Sequence, residues 1–257
     1  EHPLPLSSFP DGTAAFRLSV QDGGPYVIQW LYDGDEECIL LWHLTHHIRE
    51  NCPPQTEIHL VLPYVPNARM DRVKQNDEVF TLKWFANFIN ALNFTSVTGC
   101  DVHSNVASAL FHRFRQINAG YLVEQTLKEI SSRFHIPSNK VILCYPDEGA
   151  SKRYSEQISK DYVFGIKHRD WRTGKIQKLE LVGAQKVAGK PVLIVDDICS
   201  RGGTFTYTAK ALKEAGAQAI FLYVTHCENT IREGSVLTDG LITHVFTTNS
   251  IFRGNHE

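Results

Sequence analysis

Two adjacent carboxylates, Asp196 and Asp197, follow the aliphatic run Val192-Leu-Ile-Val195 and precede Ser200-Arg201-Gly202-Gly203-Thr204. Each part of this stretch suits the binding of a phosphorylated sugar. Glycines let a backbone approach a ligand closely, and free N–H groups at a helix start bind a phosphate. Ser200 and Thr204 add hydroxyl donors. Carboxylates at the carboxyl end of a strand, where α/β sheets bind ligands, accept hydrogen bonds from vicinal hydroxyls. A merely structural turn between strand and helix needs neither aspartate, so the stretch reads as a sugar-phosphate loop.

Other polar residues speak only in company. Taken singly, His103 is a satisfied strand-end histidine, Arg69 and Arg72 are solvated loop cations, and Phe9 belongs to a core. Lys167 and Arg169 precede Asp170-Trp-Arg-Thr-Gly-Lys175, a polar stretch that reads as a mobile loop or a solvated hairpin. His43 and His47 have i,i+4 spacing with His46 between them, but no third ligand is near, so a packed helix is a better reading than zinc. The segment from Gly183 to Pro191 falls short of a P-loop: its glycines are one residue too far apart, and Pro191 stands where Ser or Thr would meet Mg²⁺. No Gly-x-Gly-x-x-Gly occurs.

A scaffold for these residues is visible in the pattern of the chain. Short β-branched or aromatic runs at 26–30, 57–62, 95–101, 141–145, 191–195 and 219–225 read as buried parallel strands. Helix patterns lie between them at 38–49, 81–92 and 204–215, the last closed by Gly216. Such alternation implies an α/β fold with a mainly parallel sheet covered on both faces. With 257 residues there is room for two α/β halves, and the division is expected near Ser138, giving 1–138 and 139–257.

Composition narrows the function classes. A formal charge of −2 gives no field for nucleic acid or an anionic membrane, and no apolar run is long enough to span a bilayer. Six scattered cysteines without a Cys-x-x-Cys pair suit free thiols in the cytoplasm. The start, Glu1-His-Pro-Leu-Pro5, has neither an initiator Met nor the form of a signal peptide, as expected of a trimmed chain.

The loop from Asp196 to Thr204 resembles the phosphoribosyl-diphosphate (PRPP) loop of the phosphoribosyltransferase fold, which serves both transferases that consume PRPP and the synthetase that makes it. Further segments resemble the synthetases, the ribose-phosphate diphosphokinases. Phe9-Pro-Asp11-Gly-Thr13 is similar to their Phe-Ser-Asp-Gly-Glu, and Pro63-Tyr-Val-Pro-Asn-Ala-Arg69-Met-Asp71-Arg72 to their Pro-Tyr-x-x-x-Ala-Arg-Gln-Asp-Arg. Asp101-Val-His103 stands for Asp-Leu-His, and Tyr145-Pro-Asp147-Glu-Gly149-Ala150 for the diphosphate loop Ser-Pro-Asp-x-Gly-Gly. Lys167-His-Arg169 matches Lys-Arg-Arg, and Tyr223-Val-Thr-His226 matches Tyr-Ala-Thr-His, all in the family's order.

The resemblance implies two phosphoribosyltransferase-like halves, an ATP side (1–138) and a sugar-phosphate side (139–257), and diphosphoryl transfer from ATP to a phosphorylated ribose. It assigns Lys167 and Arg169 to catalysis, and Phe9, Asp11, Arg69, Asp71, Arg72 and His103 to ATP. It assigns Asp147, Gly149, Asp196, Asp197, Ser200, Arg201, Gly202, Gly203 and Thr204 to the sugar phosphate. His103 and Asp147 would engage Mg²⁺, directly or through water. A homo-oligomer, a dimer or a multiple of dimers, is implied as well. Departures stand at Thr13, Met70, Ala150 and the Ser200-Arg201-Gly-Gly stretch, where the family commonly has Glu, Gln, Gly and Asp-Thr-Ala-Gly. A PRPP-consuming transferase and a non-catalytic regulatory homologue are the competing readings. Arg201 in place of Thr also widens the choice of acceptor: ribose 5-phosphate, or ADP-ribose for NAD salvage.

Overall fold

The structure, a computed structural model, describes residues 4, 6–20, 24–169 and 176–254, with the side chains of 6, 168, 169 and 176–178 outside the description. Two compact units form: residues 1–99 with 104–115, and residues 100–103 with 116–257.

The first unit opens with an antiparallel hairpin, β1 (Leu6–Ser8) and β2 (Ala14–Phe16). There follow β3 (Tyr26–Gln29), α1 (Glu37–Asn51), β4 (Ile58–Val61), α2 (Thr81–Ala91), β5 (Ser96–Cys100), α3 (Val106–Leu110) and β6 (Phe114–Ile117). The last four strands form a sheet in chain order, with β3, β4 and β5 parallel. Leu82, Phe85, Ala86 and Ile89 recur at helical spacing and form one buried stripe of α2, and Ile58, Leu60 and Leu62 are buried as well. On α1 the buried positions are Leu41, Thr45 and Ile48. His46 stacks on Trp42 and His47 meets the Leu18 carbonyl, so these histidines serve packing.

The second unit continues with α4 (Gly120–Phe134), β7 (Ile142–Tyr145), α5 (Glu148–Tyr154), β8 (Tyr162–Arg169), β9 (Ile176–Val182), β10 (Pro191–Cys199), α6 (Gly203–Glu214), β11 (Ala219–Cys227) and β12 (His244–Thr247). Among the described residues the strand order is β12-β11-β10-β7-β8-β9, parallel except for the antiparallel edge strand β9. Alternation along β10 fills both faces. Val192 and Ile194 join Phe205, Ala209 and Leu212 of α6, whereas Leu193 and Val195 join Val123, Leu127 and Ile130 of α4. Each such large apolar side chain contributes roughly 1.5–3 kcal/mol on burial.

Three expectations shift. The units part near Arg115 rather than Ser138, because α4 buries its stripe in the second core. The strand expected at 191–195 runs on to Cys199, so Asp196 and Asp197 lie within it rather than beyond its end. Lys167, expected only to precede the polar 170–175 stretch, lies in a strand, β8, because 162–169 pairs with β9. All six cysteines are free, and no helix of the described residues is long and apolar enough to cross a membrane.

Candidate active site

Three neighbouring parallel strands of the second unit deliver polar residues toward their carboxyl ends. Asp147 lies just past β7, Lys167 near the end of β8, and Asp196 and Asp197 near the end of β10. Residues 100–103, which belong to the same unit, add Asp101 and His103.

Asp196 and Asp197 are not equivalent. Asp197 is almost wholly buried, and its Oδ2 lies 2.6 Å from His103 Nδ1 and 3.1 Å from an Arg153 guanidinium nitrogen. Burial works against its charge, but the His103 hydrogen bond and the Arg153 cation outweigh it and hold the carboxyl well below the usual range. Asp196 is pushed the other way, well above that range, by burial and then by the charge of Asp197. Asp196 Oδ1 also accepts the Asp197 backbone N–H at 3.0 Å.

Beneath them, Asp101 adopts a left-handed φ of 43° and is fully buried. Its Oδ2 accepts hydrogen bonds from Tyr154 Oη at 2.8 Å and from the Thr225 hydroxyl. Burial is the main reason its carboxyl is pushed up to about 6.

Asp147 caps α5. Its Oδ1 accepts the Ala150 N–H at 2.9 Å, and its Oδ2 accepts from Lys167 Nζ at 2.7 Å. Burial alone would raise this carboxyl; Lys167 and the amides of Ala150 and Gly149 outweigh burial and lower it. Lys167 is thus brought to Asp147 as a strand residue. Arg169 ends β8, but its side chain and the whole of 170–175 lie outside the described residues.

After β10, the stretch expected to bind the sugar phosphate passes Ser200 and turns through Gly202, whose φ of 76° is left-handed. A Cβ there would be driven into Val236, so only glycine fits. A Cβ on Gly203 would meet nothing within 4 Å, so the first residues of α6, Gly203 and Thr204, start beside open space. Arg201 does not reach over this helix start. It pairs with Glu233 at 2.9–3.0 Å on an exposed edge, where Gly234 lets the two backbones close up.

In the first unit, Phe9 is 59% exposed at the hairpin turn and Asp11 Oδ1 accepts both the N–H and the hydroxyl of Thr13. Asp71 receives Arg72 at 2.7 Å and Ser104 Oγ at 2.7 Å, and Arg69 is exposed. The structure therefore groups Asp71 with Arg72, and in the second unit His103 with Asp197 and Asp147 with Lys167.

Sequence reasoning passed over Arg153, Tyr154 and Glu233, and it quoted Asp101 within a motif without giving it a role. For Arg153 a local signal existed: it follows Asp147 by six residues on a helix that Asp147 itself caps. The others are joined by contacts that no spacing announces.

Among the described residues, no group of three or more His, Cys, Asp or Glu is arranged to hold a metal ion. The donor chemistry still suits Mg²⁺, which keeps several waters, takes one or two carboxylates and is otherwise bound by substrate phosphates. Asp147 supplies a carboxylate, and Asp197 orients the His103 ring through Nδ1.

Comparison with known proteins gives a consistent picture. The model of the phosphoribosyl transferase domain family matches residues 125–253. Ribose-phosphate pyrophosphokinase of Sulfurisphaera tokodaii is 25% identical over 252 residues, 95% of this chain and 82% of that protein. Its namesake from Pyrococcus furiosus is 27% identical over 235 residues, 90% of this chain and 79% of that protein. Ribose-phosphate pyrophosphokinase 1 of Listeria innocua is 30% identical over 197 residues, 76% and 60% of the two chains. Among solved structures, phosphoribosylpyrophosphate synthetase from Mycobacterium smegmatis has a TM-score of 0.76 at 18% identity, covering 97% of this chain and 80% of that one. At that identity the likeness is one of fold.

Proposed function

We propose that this chain, which belongs to the phosphoribosyl transferase domain family, transfers the diphosphoryl group of ATP to the anomeric hydroxyl of a ribose phosphorylated at C5. The chain is a transferase of the ribose-phosphate diphosphokinase type, as its relatives are named. The observation that carries the reading is the convergence of Asp147, Lys167, Asp196, Asp197 and His103 at the carboxyl ends of strands, beside the open helix start at Gly203.

In this reaction the anomeric oxygen attacks the β-phosphorus of ATP. The bond between that phosphorus and the oxygen bridging to the α-phosphate breaks, AMP leaves with that oxygen, and the hydroxyl proton passes to solvent. Such transfer needs positioning and charge stabilisation more than covalent help. Asp196 accepts from a ribose hydroxyl, and the amides at Gly203 and Thr204 meet the C5 phosphate. Lys167 leaves Asp147 for the transferred group, where a cation stabilises developing negative charge. Arg169 shares that role. Arg69, Asp71 and Arg72 serve the ATP phosphates, and Phe9 and Asp11 the adenine. Mg²⁺ would be held by Asp147 and His103 and would neutralise phosphate charge. Homo-oligomer formation is part of the same reading.

One observation favours a larger acceptor. The fork of Arg201, expected on the acceptor's phosphates, is held by Glu233 instead, and the space beside Gly203 at the helix start is what supports the larger acceptor. A group attached to the C5 phosphate finds room there, which suits ADP-ribose as well as ribose 5-phosphate.

Incubation with ATP, Mg²⁺ and equal ribose 5-phosphate and ADP-ribose tests both parts. AMP together with a diphosphorylated sugar, identified by mass spectrometry, is expected. Absence of AMP with either acceptor refutes diphosphoryl transfer, and conversion of ribose 5-phosphate alone refutes the larger acceptor.

A further inference from the structure

Helix α5 holds the second unit's carboxylates at three points. Its cap, Asp147, takes Lys167; its last residue, Tyr154, donates to Asp101; and Arg153 lies between Asp197 and His103. The Arg153 contacts use the two ends of one guanidinium. One terminal nitrogen is 3.1 Å from Asp197 Oδ2, and the other donates to the His103 backbone carbonyl. Only about a quarter of the side chain is exposed, and it lies 5.9 Å from the Tyr154 ring.

The charge balance explains why a cation is needed there. Asp197 repels both Asp101 and Asp196, and Asp147 adds to the field at Asp196. Lys167 answers Asp147. Arg153 supplies a permanent charge to Asp197, and the same charge favours ionisation of Asp101. The planar fork also fixes a distance: Asp197 and the 100–103 segment are both tied to it, so the His103 ring stays on the carboxylate that orients it.

We infer that Arg153 is a positioning residue for the transfer, its fork locking the backbone of His103 and the carboxylate of Asp197 into one geometry. This goes beyond the roles given above and rests on the diphosphoryl-transfer reading for its kinetic test alone. The experiment compares Arg153→Met and Arg153→Lys with the unaltered chain. It measures kcat and KM for each substrate and the imidazole ¹⁵N signals of His103, assigned through His103→Gln. A misplaced reacting group costs about 100-fold in rate. Arg153→Met is therefore expected to lower kcat by about that factor with little change in the KM for ATP, and to move the His103 signals. Arg153→Lys keeps the charge but reaches only one of the two acceptors, so it falls between the other two proteins in both readouts.

Unmoved His103 signals with kcat unchanged in both variants would overturn the assignment. So would lowered thermal stability without either change. If Arg153→Met fails to fold, Arg153→Lys decides by the same two readings. An unaltered chain with no turnover refutes diphosphoryl transfer instead, and the His103 signals still judge Arg153.

Discussion

Lys167 Nζ lies 2.7 Å from Asp147 Oδ2, which ties strand β8 to the cap of helix α5. The cation is thus held by a carboxylate and, on the proposed mechanism, reaches the transferred group only when that bond is exchanged.

Lys167→Ala is expected to lower kcat by about 10²–10³-fold, the scale of losing one charge-stabilising donor, while ATP binding changes little. An interaction made mainly in the transition state acts on kcat rather than KM. Arg169→Ala should behave alike. Steady-state kinetics with calorimetric ATP titration checks this; near-normal turnover in both variants removes them from the mechanism.

Gly202 and Gly203 separate folding from binding. Gly202→Ala forces a side chain into Val236 at a left-handed φ, so a loss of about 1–3 kcal/mol is expected. Gly203→Ala meets no atom and should leave the melting temperature unchanged. Its methyl group enters the space assigned to the phosphate, so the KM for the sugar should rise. A destabilised Gly203→Ala with normal KM would contradict that assignment.

Asp196 and Asp197 should also part company. As strand-end carboxylates facing a ligand, both would be dispensable for folding. With Asp197 buried against His103 and Arg153, Asp197→Asn leaves Arg153 short of its anion and should cost about 1–3 kcal/mol. Asp196→Asn removes a carboxyl whose charge is already disfavoured by burial and by Asp197, so urea midpoints should fall for Asp197→Asn and change less for Asp196→Asn. Equal midpoints would argue against the buried pairing. Acceptor affinity should drop in the Asp196 variant.

His226 gives a pH dependence. It is buried, and its Nε2 lies 3.0 Å from the Cys100 carbonyl. Nε2 must therefore donate, and neutral Nδ1 accepts from Ser250 Oγ at 2.8 Å. Burial lowers the ring to about 4, below the ordinary value near 6.5. Between those values the unfolded chain binds the proton and the folded chain does not. Stability is therefore complete above about pH 6.5 and falls toward pH 4, by about 3 kcal/mol at most. Unfolding at pH 7 and pH 5 should show a smaller difference in His226→Gln than in the unaltered chain; equal differences would exclude His226 as the source.

Much of the scaffold was legible because its signals are local. The aliphatic run of β10, the Gly202-Gly203 break and the stripe of α2 declare themselves within a few residues. β8 and β9 were missed because Gly165 and interleaved Lys, His and Gln blunt the strand pattern, and an antiparallel edge strand need not be apolar. The His103–Asp197 contact spans 94 positions, and Arg153 has no motif beyond its place on α5. Such groupings come from strand order, which spacing along the chain does not encode.

The seven residues of α5 span only about 10 Å, well under the length at which a helix persists alone. Its backbone order is borrowed from Asp147, Arg153 and Tyr154 at its ends. Amide hydrogen exchange along this helix therefore registers the state of its tethers, and on the proposed mechanism, in which a phosphate draws Lys167 off Asp147, exchange is expected to rise as far as the end where Asp101 and Asp197 are held.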